Sequence, residues 1–271
     1  MKLIDCHNHS NYSFDGVNSV EEMVKSAHNK GIFAFAITDH FDVNIDDDKL
    51  EGNIKSSVLE MNMLKDSYQN MKLIAGFELG QALQDVARAE RLLALDGIDF
   101  VIGSIHDVKG DEDFYFCDYS KKSDDDIMNM LQNYYHDIFA MTKWGNLDTL
   151  AHIAYPYRYM TFERAKREVS LDIDKFDDIV KETFQTLIQN GKAIELNTSN
   201  SFITSQNERD LITRYLKMYY QLGGELVTLG SDAHNINDIG RGLNQAYELL
   251  KQIGFQYVTY FEDRKPVLIK I

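Results

Sequence analysis

The chain has 271 residues, enough for one large α/β barrel or two smaller domains. Its net charge of −15 argues against nonspecific nucleic-acid binding, which needs clustered Lys and Arg against phosphates. No apolar run is long enough to span a bilayer, the N-terminus lacks a signal-peptide core, and Cys6 and Cys117 give no disulfide framework, so a cytoplasmic protein is expected.

Leu3 and Ile4 read as a short buried strand that runs into His7 and His9. Imidazoles at i and i+2 of an extended segment point to one side, as two ligands of one metal ion must. Cys6 then faces the other way, as a buried thiol. Asp15 follows in a polar loop. Val20, Met23, Val24 and Ala27 have helical spacing, closed by Gly31. Residues 32–40 (IFAFAITDH) are an apolar strand ending in Asp39 and His40. Residues 42–51 form an acidic loop, read as solvated surface. Strands at 72–78 (KLIAGFE) and 100–106 (FVIGSIH) end in Glu78 and His106.

A long polar and aromatic stretch covers 107–126. Residues 149–152 (TLAH) end in His152, and 154–168 (AYPYRYMTFERAKRE) form a second long excursion. Helical spacing returns at 173–188, closed by Gly191, and strand 193–197 (AIELN) ends in Asn197. A helix over 211–222 is closed by Gly223 and Gly224. Strand 226–234 (LVTLGSDAH) delivers Asp232 and His234, and a last helix over 243–253 ends at Gly254.

Strands alternating with helices imply parallel βαβ units. Seven or eight in series imply a closed barrel with its site at the C-terminal strand ends. An open doubly wound sheet is the alternative, but a barrel mouth converges seven strand ends directly. The two long excursions then rim that mouth.

Six histidines stand at strand ends: His7, His9, His40, His106, His152 and His234. His28 and His136 fall within helices and read as surface residues. With Asp15, Glu78 and Asp232, the set exceeds the three protein ligands of one catalytic zinc. It suits two or three divalent ions, and the mixed His/carboxylate chemistry favours Zn, Mn or Fe over Mg or Ca. Such a cluster suits hydrolysis. An amidohydrolase would commonly bridge its metals with a carbamylated lysine. No strand end here offers one, and Glu78 takes that place.

In order and spacing, DCHNHSNYSFDG, AITDHF, GFE, FVIGSIHD, LAHI and TLGSDAH resemble the motifs of the PHP (polymerase and histidinol phosphatase) superfamily, from Asp5 to His234. SFDG, FVIGSIH and ELNTS look most like the histidinol-phosphate phosphatase branch. The resemblance implies a single domain over 1–271, a distorted (β/α)7 TIM-like barrel with a metal centre at its C-terminal strand ends. It implies one metal on His7, His9, Glu78 and Asp232, a second on Glu78, His106 and His152, and a third on Asp15, His40 and His234.

The implied reaction is hydrolysis of the small phosphomonoester L-histidinol phosphate to L-histidinol and phosphate, in histidine biosynthesis, through a metal-bridging hydroxide. Another small phosphomonoester, or a nucleotide phosphodiester, is the alternative substrate. One departure is HIAYPYRYM after the fifth strand, where the family often has an Asp and then a basic run. Arg158 is the nearest cation and is expected to stabilise the phosphoryl oxygens. Asp232 or His234 is expected to protonate the leaving oxygen, and Asn197 to hydrogen-bond substrate.

Overall fold

A computed structural model describes residues 2–47 and 49–271. Seven strands form one parallel sheet in sequential order: β1 (Leu3–Asp5), β2 (Ile32–Asp42), β3 (Lys72–Gly80), β4 (Phe100–Ser104), β5 (Thr149–Leu150), β6 (Ala193–Asn197) and β7 (Val227–Gly230). The sheet closes on itself just beyond β1 and β7. The Cys6 N–H donates to Leu229 O at 2.7 Å and the Asp232 N–H to His7 O at 2.9 Å, and Asn8 bridges Ala233 in parallel. This is the expected distorted (β/α)7 barrel. The open-sheet alternative fails because no free edge remains between the first and last strands.

The distortion is greatest at β5, which is two residues long rather than continuing to His152. There the chain leaves the ladder in a turn, with the Tyr155 N–H on His152 O at 2.7 Å, and winds into a 3₁₀ turn at Tyr155–Arg158. His152 thus projects from the strand's exit.

Nine α-helical segments occur among the described residues: α1 (Val20–Asn29), α2 (Lys49–Leu64), α3 (Val86–Leu93), α4 (Asp124–Trp144), α5 (Phe162–Ala165), α6 (Asp177–Gln189), α7 (Asn200–Thr204), α8 (Gln206–Gln221) and α9 (Leu243–Ile253). The helix starts follow local chemistry. Ser19 and Ser123 cap α1 and α4 reciprocally with Glu22 and Asp126. Gly145 and Gly254, both left-handed, end α4 and α9.

After α9 comes a hairpin that the helical periodicity did not foretell, β8 (Tyr257–Glu262) and β9 (Lys265–Lys270). Asp263 and Arg264 turn it with φ of 47° and 61°, the paired positive values of a tight hairpin. The hairpin packs at the end of the barrel opposite the histidines. Arg264 pairs with Asp148, just before β5, and its N–H donates to Asp99 O, just before β4. Phe261 stacks on Phe100 at 5.2 Å.

Phe100 is fully buried at the start of β4. Phe100→Ala is expected to cost about 3–5 kcal/mol in denaturant unfolding, through lost burial plus the cavity left behind. The histidine end of the barrel, opposite the hairpin, should keep its metal content in the folded variant.

Candidate metal centre

Side-chain alternation on β2 gives two adjacent residues different tasks. His40 faces the mouth. Asp39 faces the loop after β1 and accepts from the Ser10 N–H at 2.6 Å and the hydroxyls of Ser10, Ser13 and Ser57 at 2.8, 2.7 and 2.5 Å. That anchor fixes the loop carrying His9. Asn8 points away from the mouth, onto Asp5 and Ala36 O. His7 and His9 therefore share a side, while Cys6 is buried.

Glu78 ends up at the centre, fully buried, with both oxygens facing imidazole nitrogens. Its Oε2 lies 3.1 Å from His7 Nε2, 3.6 Å from His9 Nε2 and 3.0 Å from His40 Nδ1. Its Oε1 lies 3.2 Å from His106 Nε2 and 3.0 Å from His152 Nε2. Asp232 Oδ1 sits 3.4 Å from His9 Nε2 and 3.8 Å from His7 Nε2. Asp15 Oδ2 sits 3.1 Å from His234 Nε2 and 3.6 Å from His40 Nε2, nearer the surface. All nine sequence-predicted ligands thus converge, while His28 and His136 stay exposed on helices.

The donor set fits divalent metal ions on three counts. Nitrogen and oxygen ligands 2.0–2.1 Å from a tetrahedral ion stand about 3.3 Å apart, which is the middle of the distances above. His9 Nε2 and His40 Nδ1 are buried and have no hydrogen-bond partner. The tautomers also fit. The Ser13 hydroxyl donates to Asp39, so it accepts from His9 Nδ1–H at 3.3 Å and leaves the Nε2 lone pair facing two carboxylates. A lone pair aimed at carboxylate oxygens is repulsive unless a cation lies between them.

Three further imidazoles are oriented in the same manner. His7 Nδ1 is 2.7 Å from Glu195 Oε1, His106 Nδ1 is 3.1 Å from Asp42 Oδ1, and His234 Nδ1 is 3.0 Å from the Asp232 carbonyl. Glu195 escaped the sequence reading, and Asp42, read as the start of a solvated loop, is instead the buried last residue of β2. Glu195 lies two residues before Asn197 on the same strand face, and Asp42 two residues after His40, so strand alternation was the available signal.

Without a cation the groups perturb one another strongly. Burial alone would push the Glu78 carboxyl up, but His7, His106 and His40 hold it well below the ordinary carboxylate range. Burial, with His40 and His234, drives His9 down to about 3. Burial disfavours a charged His7 too, yet Glu195, Glu78 and Asp232 hold its pKa well above the usual value.

Asp232 has φ 55°, a left-handed conformation uncommon outside glycine and typical of a constrained site. Gly230, just before it, permits a close approach. A Cβ there would lie 2.2 Å from His7 Cβ and 2.6 Å from Glu195 Oε1.

The centre opens into a mouth cavity of about 450 Å³. Both long excursions rim it, contributing Asp113, Tyr115 and Phe116 from one and Tyr155, Arg158 and Tyr159 from the other. Asp113 accepts from the Tyr155 hydroxyl at 3.1 Å, and burial pushes its carboxyl up. Arg158 is the single Lys or Arg among the described lining residues, against Asp15, Asp42, Glu78, Asp113 and Asp232.

The expectation for Asn197 is corrected. Its amide donates to Glu195 at 3.2 Å and Asp232 at 3.1 Å, and its oxygen accepts from Arg158 at 2.9 Å and the Ser199 N–H at 3.0 Å. Two donors and two lone pairs are all an amide has, so none is left for a substrate. Asn197 is a buried strut between ligand and arginine.

The chain is 28% identical to a probable histidinol-phosphatase of Thermotoga maritima over 99% of this chain and 100% of that one. It is 26% identical to the histidinol-phosphatase of Lactococcus lactis, over 98% and 96%. The fold matches the crystal structure of the Lactococcus lactis histidinol phosphate phosphatase complexed with zinc, L-histidinol and phosphate (TM-score 0.84, 24% identity, 98% of this chain and 99% of that one). It also matches the crystal structure of a candidate histidinol phosphatase from Listeria monocytogenes (TM-score 0.68, 17% identity, 89% and 98%). The PHP domain model matches residues 5–199, most of the barrel, and the chain belongs to the PHP domain family.

Proposed function

We propose that this chain is a metal-dependent phosphomonoesterase that hydrolyses L-histidinol phosphate to L-histidinol and phosphate. The observation that carries the reading is the Glu78-centred cluster at the mouth, with imidazoles whose outer nitrogens are held and whose inner nitrogens face carboxylates. The full-length similarity to histidinol-phosphatases supports the substrate. We read 1–271 as one domain acting in the cytoplasm. No helix among the described residues is long and apolar enough to cross a membrane.

We assign His7, His9, Glu78 and Asp232 to one metal, Glu78, His106 and His152 to a second, and Asp15, His40 and His234 to a third. Zinc suits these donors, with Mn or Fe as alternatives. When bound, the ions supply a hydroxide nucleophile at neutral pH and neutralise the phosphoryl charge. Their positive charge is needed, because five carboxylates facing one arginine would repel a phosphate.

The chain's own residues do the rest. Glu78, through both oxygens, spaces two ligand groups. Asp42 and Glu195 hold His106 and His7 in the tautomer that turns Nε2 inward. Arg158 offers N–H donors to the phosphoryl oxygens and supplies charge stabilisation as they develop in the transition state. His234 or Asp232 would relay to the leaving alkoxide the proton that the attacking water gives up. Asp113, on the rim, meets the cationic end of the alcohol.

The test is phosphate release from L-histidinol phosphate against a panel of other phosphomonoesters and a nucleotide phosphodiester. A strong preference for L-histidinol phosphate is expected. Equal or better turnover of the diester would overturn the reading.

A further inference from the structure

We infer that Glu208 is a positioning residue that keeps Arg158 aimed at the substrate phosphate. This rests on the phosphomonoesterase reading above. Ser205-Gln206-Asn207-Glu208 looks like an ordinary capping box, in which the glutamate would turn back onto the serine N–H at the solvent surface. Only half of it forms. The Ser205 hydroxyl accepts from the Glu208 N–H at 3.3 Å, but the Ser205 N–H goes to Ser201 O at 2.8 Å. The Glu208 carboxylate instead turns inward, 3% exposed, and accepts from Arg158 Nε at 3.2 Å.

A buried carboxylate outside the metal centre is costly unless it has a task and a partner. The competing contacts show the task. Arg158 Nη1 is already 3.5 Å from Asp232 Oδ2, a loose contact for a charged pair that closes to about 2.8 Å when unopposed. Glu208 pulls from the other side through Nε, and Asn197 holds Nη2. Without Glu208 the guanidinium would collapse onto Asp232, a carboxylate assigned to a metal. With it, three of the five guanidinium N–H donors are engaged among the described residues, and two remain for the mouth.

The arrangement is braced from behind. The Tyr135 hydroxyl contacts those of Tyr157 and Tyr215 at 3.1 and 2.7 Å, tying the Tyr155–Arg158 turn to α4 and α8. Glu208 Oε2 is buried without a hydrogen-bond partner. Glu208 also lines, with His152 and Asn197, a small cavity of about 20 Å³, room for one water.

The experiment compares Glu208→Ala, Glu208→Gln, Arg158→Ala and the double Ala variant, with inorganic phosphate as a competitive probe. Metal content and thermal melting are read on each sample. Glu208→Ala should raise both KM and the phosphate inhibition constant about tenfold with metal content unchanged, as loss of a charge-assisted contact implies. Glu208→Gln, which keeps an acceptor and the volume, should show a smaller rise and serves if the alanine variant does not fold. The double variant should bind phosphate no worse than Arg158→Ala alone, because the two act through one contact. Lower melting temperatures with an unchanged inhibition constant in the Glu208 variants, while Arg158→Ala raises it, would overturn the inference and leave the phosphatase reading standing. Additive penalties would overturn it likewise. An unchanged constant in Arg158→Ala would overturn the phosphate role of Arg158 and, with it, the positioning role of Glu208.

Discussion

Glu78→Gln is expected to lower kcat by about a thousandfold or more and to reduce bound metal in two ligand groups at once. The substitution is isosteric, so packing is preserved. What changes is that one of two inward oxygens becomes an NH₂, which cannot ligate a cation. Oε2 faces His7, His9 and His40, and Oε1 faces His106 and His152, so either amide orientation spoils one group. Lewis-acid stabilisation of several kcal/mol is at stake, and each 1.4 kcal/mol is a factor of ten. Metal analysis with steady-state kinetics on one sample checks it. Near-normal turnover at full metal content would remove Glu78 from its bridging role.

Glu195→Gln should weaken metal binding or turnover by about ten- to hundredfold without altering any ligand, the usual cost of disturbing an outer partner. Glu195 Oε1 receives His7 Nδ1–H at 2.7 Å, and Oε2 receives the His152 N–H at 2.9 Å and the Asn197 amide at 3.2 Å. Both oxygens accept. A glutamine must turn its NH₂ toward one of those donors, so it loses either the His7 tautomer or the exit turn that aims His152. Competition with a metal chelator reads the effect. Unchanged metal retention would show that His7 needs no oriented partner.

Apart from Asp15, which lies in a loop, the candidate ligands were legible because each sits at or just past a strand's C-terminal end, where an apolar run stops on a residue that does not belong in a core. Helices α1 and α9 were legible for a similar reason, a 3.6-residue stripe closed by glycine. Glu195 was not, because it looks like an ordinary strand carboxylate until the fold sets it against His7, and Asp42 was not, because it opens an acidic run that reads as solvated surface until the fold sets it against His106. Asn197 misled in the opposite direction. It stands where a substrate contact should, but Glu195 and Ser199 beside it in sequence and Arg158 and Asp232 from distant parts of the chain already saturate its amide. The closing hairpin was missed because its purpose, plugging the far end through Arg264 and Phe261, depends on contacts with Asp148 and Phe100 far back in sequence. Glu208 was hidden in the same way, since its local pattern describes a surface cap.

The most direct test of the central claim is metal add-back. Protein stripped by chelation is titrated with zinc, manganese or iron, and phosphate release from L-histidinol phosphate is followed together with metal bound per chain. The stripped protein should show no turnover, and activity should return as metal fills the Glu78 centre. Turnover that persists in metal-free protein, or a filled centre that releases no phosphate from this ester, would contradict that claim.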